Sequence, residues 1–183
     1  QGYGAIRYDR EEIARIARLG RDRPLAFLPS HRSNLDRLAL QFMLWENDLP
    51  PNHTAGGINM NFFPVGPLVR RTGVFFIRRT FKGNDLYKHV LTSYIDYLVE
   101  RRFPLEWYME GGRSRTGNLR PPRYGLLSWV VDAFKRRKAD DVYLIPVSIA
   151  YDHIHEVGAY VAEVTGSTKE KESFGWALKF YRS

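Results

Sequence analysis

The sequence contains no cysteine. That excludes a disulfide framework, a thiolate metal site and thiol redox chemistry, and it is compatible with a reducing compartment such as the cytoplasm. No apolar run approaches the roughly 18 residues needed to span a bilayer, and no basic-then-apolar leader opens the chain, so any membrane association is expected to be peripheral. Internal repeats, low-complexity tracts and interdomain linkers are also missing. Zinc-ligand spacing is absent from the histidines: among His31, His53, His89, His153 and His155 only the last two are close, so no metal site is expected and those other than His31 read as structural or surface residues. A P-loop is lacking too, because Glu110-Gly-Gly-Arg-Ser-Arg-Thr-Gly117 has no terminal Gly-Lys-Ser/Thr, which argues against nucleotide hydrolysis.

What is present suits one globular domain. A chain of 183 residues with 44% hydrophobic and 14% aromatic content can bury a substantial core. The formal charge of +8 predicts attraction to anions, whether nucleic acid, lipid headgroups or phosphorylated metabolites. The aromatics follow helical and strand periodicity and no nucleic-acid signature stands out, so nucleic acid is not expected as a partner. The chain opens at Gln1 and closes at Ser183 within an amphipathic stretch, Phe174 to Tyr181, which suggests a piece of a longer protein: a single catalytic core over 1–183.

Along the chain, Asp9 and Glu12 form a capping box for a short helix whose apolar face is Ile13, Ile16, Ala17 and Leu19, ending at Gly20. Pro24 to Pro29 reads as a buried strand, followed by a helix from about Leu35 to Glu46. Gly56, Gly57, Pro64, Gly66 and Pro67 predict a loop with short helical turns. Gly73 to Ile77 reads as a strand, residues 85–102 as a helix capped by Asn84 or Asp85, and Pro104 to Met109 as a third strand. A helix from Gly125 exits through Lys135-Arg-Arg-Lys138, a basic run expected to form a diffuse face toward anionic headgroups. Val142 to Tyr151 reads as a fourth strand in which Pro146 demands an edge, a bulge or an end, and Thr165 to Ser173 as a polar loop. Strands separated by helices predict an α/β fold, a central mixed sheet flanked by helices.

Three strand ends deliver polar clusters, and ligands of open α/β sheets gather at such ends. His31 can act as a base near neutral pH, with Asp36 on its other ring nitrogen. Five positions apart within one helix would put them about 140° from each other, so the pairing requires His31 in the loop, with Ser33 or Asn34 as N-cap. Equally open from spacing is a plain capping box in which Asp36 serves only the helix start and His31 is a surface residue. Arg78 and Arg79, after an apolar run, suit bidentate phosphate binding or a solvated strand end. Glu110 to Gly117 gathers a carboxylate, two arginines, two hydroxyls and three glycines, unless it is a simple turn.

These clusters together resemble the four ordered motifs of the glycerolipid acyltransferases. His31-Arg-Ser-Asn-Leu-Asp36 matches H-x-x-x-x-D, Gly73-Val-Phe-Phe-Ile-Arg-Arg79 the second motif, Glu110-Gly-Gly-Arg-Ser114 the third and Ile145-Pro-Val-Ser-Ile-Ala-Tyr-Asp152 the fourth, over about 27–156. Gly57-Ile-Asn-Met-Asn-Phe-Phe-Pro64 and Phe76 to Asn84 resemble the bacterial membrane-bound glycerol-3-phosphate acyltransferases; Met109 stands where lysophosphatidate acyltransferases carry proline. Dihydroxyacetone-phosphate acyltransferases share much of this wording. The resemblance implies a fold of that family and transfer of a fatty acyl group from acyl-CoA or acyl-acyl carrier protein, as substrate and not cofactor, to the sn-1 hydroxyl of glycerol-3-phosphate at the cytoplasmic face of the cell membrane. It further implies His31 as base and Asp36 as its orienter, with Arg78 or Arg79 and Arg113 or Arg115 on the acceptor phosphate. Glu110 would receive hydroxyls or order arginines, Gly111 and Gly112 would offer amides to an oxyanion, Ser114 belongs to the same loop, and Pro146 would shape the thioester side. A non-catalytic basic module docking on anionic membranes is the competing class.

Overall fold

Asp9 begins the first helix, α1 (Arg10–Leu19), by accepting the Glu11 and Glu12 amides, and Ile13 and Ile16 bury its apolar face. The capping box is completed only on the Asp9 side, since the Glu12 carboxylate pairs with Arg15 instead. These contacts belong to a computed structural model that describes residues 5–33, 35–78, 80, 83–114, 118 and 120–151. The remaining elements are β1 (Leu25–Pro29), α2 (Asp36–Glu46), β2 (His53–Gly57), a single 3-10 turn (Ile58–Met60), α3 (Val65–Arg70), β3 (Val74–Ile77), α4 (Asp85–Glu100), β4 (Leu105–Glu106), α5 (Gly125–Lys135) and β5 (Tyr143–Val147).

The five strands run in the order β3-β2-β4-β1-β5, and every pairing among the described residues is parallel. The α/β architecture is as expected. The expected mixed sheet would need an antiparallel strand, and none occurs among the described residues. β1 is apolar and paired on both sides, as an inner strand of a parallel sheet should be. Its alternation builds two cores. Ala26 joins Ile95, Leu98 and Val99 of α4, Val130 and Ala133 of α5, and Leu105 and Trp107. Leu25 and Phe27 point the other way and pack with Ile13 and Ile16 of α1 and Leu40, Met43 and Leu44 of α2. Helices therefore cover both faces of the sheet.

β2 corrects the expectation of a loop there. Gly56 sits within the strand, and a Cβ on it would lie 2.9 Å from Val74 Cγ1, so the missing side chain allows close packing against β3 where it was read as a chain breaker. Pro146 lies on edge strand β5, where its lack of an N–H is harmless. No helix among the described residues is long and apolar enough to cross a membrane. Because the strands are parallel, the segments after β1, β2, β3, β4 and β5 all emerge at one edge of the sheet.

Candidate active site

His31 lies in the loop between β1 and α2, and Asp36 is the first residue of α2. His31 Nδ1 is 2.9 Å from Asp36 Oδ2, which also accepts the backbone N–H groups of Arg32 at 2.7 Å and Ser33 at 2.9 Å. Oδ1 accepts the Tyr151 hydroxyl at 2.6 Å. Asp36 is 0% exposed, whereas the His31 side chain is 22% exposed. A carboxylate is acceptor-only, so Nδ1 carries the proton in neutral His31, leaving the Nε2 lone pair as the basic site. The helix starts at Asp36 with Leu35 in the cap position, later than the expected Ser33 or Asn34; Ser33 Oγ instead accepts the Leu35 amide. Asn34 lies outside the described residues. The Asp36 carboxylate orients the ring and at the same time ties down the Arg32 and Ser33 amides of the loop before α2, whose cap residue Leu35 makes no side-chain capping bond.

His31 stacks on Tyr108, the ring centroids 4.1 Å apart and the planes inclined by 29°. The Tyr108 hydroxyl donates to Glu106 Oε1 at 3.1 Å. Glu106, fully buried at the end of β4, accepts on Oε2 from Gln41 at 3.0 Å, Asn52 at 3.2 Å and Thr54 at 3.3 Å. Arg37 braces this group from α2, donating to Thr54 Oγ1 at 3.1 Å and the Thr72 carbonyl at 2.6 Å. Burial pushes the Glu106 carboxyl above the usual carboxylate range, opposed by its hydrogen bonds and by Arg37. Burial, followed by the Glu106 and Asp36 charges, drives the Tyr108 hydroxyl far above its ordinary value, so it stays a donor. Tyr108, Glu106 and Tyr151 were not singled out from the sequence. The usable signal was a carboxylate inside the apolar Pro104-Leu-Glu-Trp-Tyr-Met stretch.

The segment after β4 is fastened to the histidine loop by the Ser114 amide, which donates to the His31 carbonyl at 2.7 Å. Glu110 is 7% exposed, with Oε2 buried and unpaired. The Ser114 hydroxyl donates to the Asn118 carbonyl, which commits it to holding the loop. Gly111 adopts φ +63°, and its N–H closes a turn onto the Tyr108 carbonyl at 3.0 Å. The expected offer of that amide to an oxyanion is therefore corrected: the turn that presents Glu110 uses it. Gly112 N–H has no partner among the described residues. Two unforeseen arginines sit against this turn, since Cβ atoms on Gly111 and Gly112 would lie 2.7 Å from Arg123 Cδ and 2.9 Å from Arg120 Nη1. Arg113 is half-buried in the same loop, and Arg115 lies outside the described residues.

Arg78 follows β3, exposed, with its guanidinium 5.2 Å from the Tyr87 ring centroid and its amide donating to the Tyr87 hydroxyl at 3.0 Å. With Arg70, Ile58 and Phe76 it lines a cavity of about 530 Å³. Arg79 lies outside the described residues. β2 and β4 separate β3 from β1, three steps of about 4.8 Å, so Arg78 and His31 mark opposite sides of one edge roughly 14 Å across. Pro146, opposite Leu28, closes the far side of that edge. His53 stands at the other end of the sheet, packed on Phe103, and burial lowers its pKa. His153 and His155 lie outside the described residues, as does the expected loop from Thr165 to Ser173. The expected diffuse basic face is largely neutralised: Arg136 pairs with Asp96, Lys138 with Glu100 and Lys135 with Asp132. A family model described as Acyltransferase matches residues 7–150, well over half of the chain and the whole span from α1 to β5.

Proposed function

We propose that this chain, which belongs to the Acyltransferase family, moves a fatty acyl group from an acyl thioester of CoA or acyl carrier protein to the sn-1 hydroxyl of glycerol-3-phosphate, giving lysophosphatidate. The observation that carries the reading is the 2.9 Å contact of His31 Nδ1 with the buried Asp36 carboxylate in the loop after β1. Nε2 removes the acceptor hydroxyl proton as the oxygen attacks the thioester carbonyl, and Asp36 stabilises the imidazolium that forms. The tetrahedral intermediate collapses by breaking the C–S bond, and the imidazolium returns its proton to the departing thiolate. No protein nucleophile is needed. Gly112 N–H is the amide left to meet the oxyanion. The unpaired Glu110 Oε2 suits an acceptor hydroxyl or a guanidinium. Arg78 or Arg79, with Arg113 or Arg115, takes the acceptor phosphate, and Pro146 borders the thioester. The net charge of +8 supports peripheral work at the anionic cytoplasmic face of the cell membrane.

The test is an acyl-transfer assay with labelled acyl donor, offering glycerol-3-phosphate, dihydroxyacetone phosphate and lysophosphatidate in turn. Highest kcat/KM for glycerol-3-phosphate is expected. A preference for either other acceptor overturns the substrate assignment, and vesicle binding without transfer to any of the three overturns the enzymatic one.

A further inference from the structure

Glu106 is the one fully buried carboxylate besides Asp36 among the described residues, and the proposed mechanism does not use it. Its four side-chain partners, Gln41, Asn52, Thr54 and Tyr108, all donate to it. They come from α2, the approach to β2, β2 itself and the segment after β4, so the carboxylate ties four parts of the chain to one point. Stability alone is a poor account of such a group, because a buried charge replaced by well-packed apolar side chains is often neutral or stabilising. What the network does toward the active site is fix one atom, the Tyr108 hydroxyl, and with it the ring beneath His31.

A histidine held at Nδ1 alone can still swing, because rotation about its terminal sp3–sp2 bond is soft. Asp36 fixes the distance of the ring, and the flat contact with Tyr108 at 4.1 Å restrains its tilt. We infer that Tyr108, anchored by Glu106, is a positioning residue that holds the His31 ring so that Nε2 faces the acceptor hydroxyl. The inference rests on His31 acting as the base.

Steady-state kcat and both KM values, normalised to folded protein by circular dichroism, are measured in the intact enzyme for Tyr108→Leu, Tyr108→Phe, Glu106→Gln and His31→Ala. Losing the stack in Tyr108→Leu is expected to lower kcat by about 100-fold with both KM values within about two-fold of wild type. Tyr108→Phe keeps the stack and loses the tether, so it recovers most of the activity, ending about five-fold below wild type. Glu106→Gln turns an N–H2 toward groups that donate, and should fall between the two in kcat. Wild-type kcat in Tyr108→Leu, or a rise in KM with kcat unchanged, overturns the inference. Should the leucine variant not fold, Tyr108→Phe decides, with undiminished kcat overturning it. Wild-type turnover in His31→Ala would instead remove the assignment of the base.

Discussion

The Tyr151 hydroxyl donates to Asp36 Oδ1 at 2.6 Å, joining residues 115 positions apart. β5 lies beside β1, so the segment leaving β5 arrives next to the histidine loop, and Tyr151 completes the set of donors on a carboxylate with no solvent access. Tyr151→Phe removes a donor from a buried anion, which should reduce stability by about 1–3 kcal/mol. A thermal melt checks this. The same variant should lower kcat by about ten-fold without moving either KM, because the carboxylate beneath His31 is then held through Oδ2 alone.

His31→Ala and Asp36→Asn should separate in their effects on folding. His31 is partly exposed, so its loss should leave the melting temperature nearly unchanged while kcat falls by about 100-fold to 10,000-fold. Asp36→Asn should cost both activity and stability, since an amide N–H2 would face the Arg32 and Ser33 amides that now donate to Oδ2. Kinetics alongside thermal melts for the two variants provide the check. A loss of stability with full turnover in both would leave Asp36 as an anchor of the loop before α2 and nothing more.

Much of this site was legible from local pattern, and the remainder was set by which strands become neighbours. The pairing of His31 with Asp36 needs only a loop before a helix, and the helix at Asp85–Glu100 declares itself by its apolar spacing and by the Asn84 cap on the Tyr87 amide. The Glu106 network draws Gln41, Asn52 and Thr54 from 65, 54 and 52 residues away, which follows from β4 lying between β2 and β1 and from nothing near Glu106 in sequence. β2 was hidden because Gly56 is the residue its neighbour Val74 requires, and glycine pairs ordinarily mark breaks. Gly111 looked like an available amide because its turn bond to Tyr108 is a matter of conformation, not composition.

His53 should make the fold sensitive to mild acid. Burial lowers its pKa below the ordinary value of 6.5, so both folded and unfolded chains carry it neutral above that value. As the pH falls through about 6.5 the unfolded chain takes up the proton first, and stability declines until the lower folded-state value is passed. Denaturant unfolding at about pH 7.5 and pH 5.5 should show a smaller loss for His53→Phe than for wild type. Equal pH dependence would mean that another group governs it.

Arg79 is expected to carry more of the acceptor phosphate's binding than Arg78. Side chains alternate along an extended strand, so a chain that continued extended past β3 would turn two successive arginines to opposite faces and leave one of them for the cleft. Arg78 has its guanidinium laid over the Tyr87 ring at 5.2 Å, an arrangement that already occupies its face. Arg79→Lys keeps the charge but removes the planar fork that holds two phosphate oxygens at once, so KM for glycerol-3-phosphate should rise by about ten-fold or more while that for the acyl donor stays put. Arg78→Lys should change the acceptor KM by less than about three-fold. The two KM values measured for each variant decide the matter: the reverse ranking would place Arg78 on the phosphate, and a rise confined to the acyl donor would assign the pair to the phosphates of CoA.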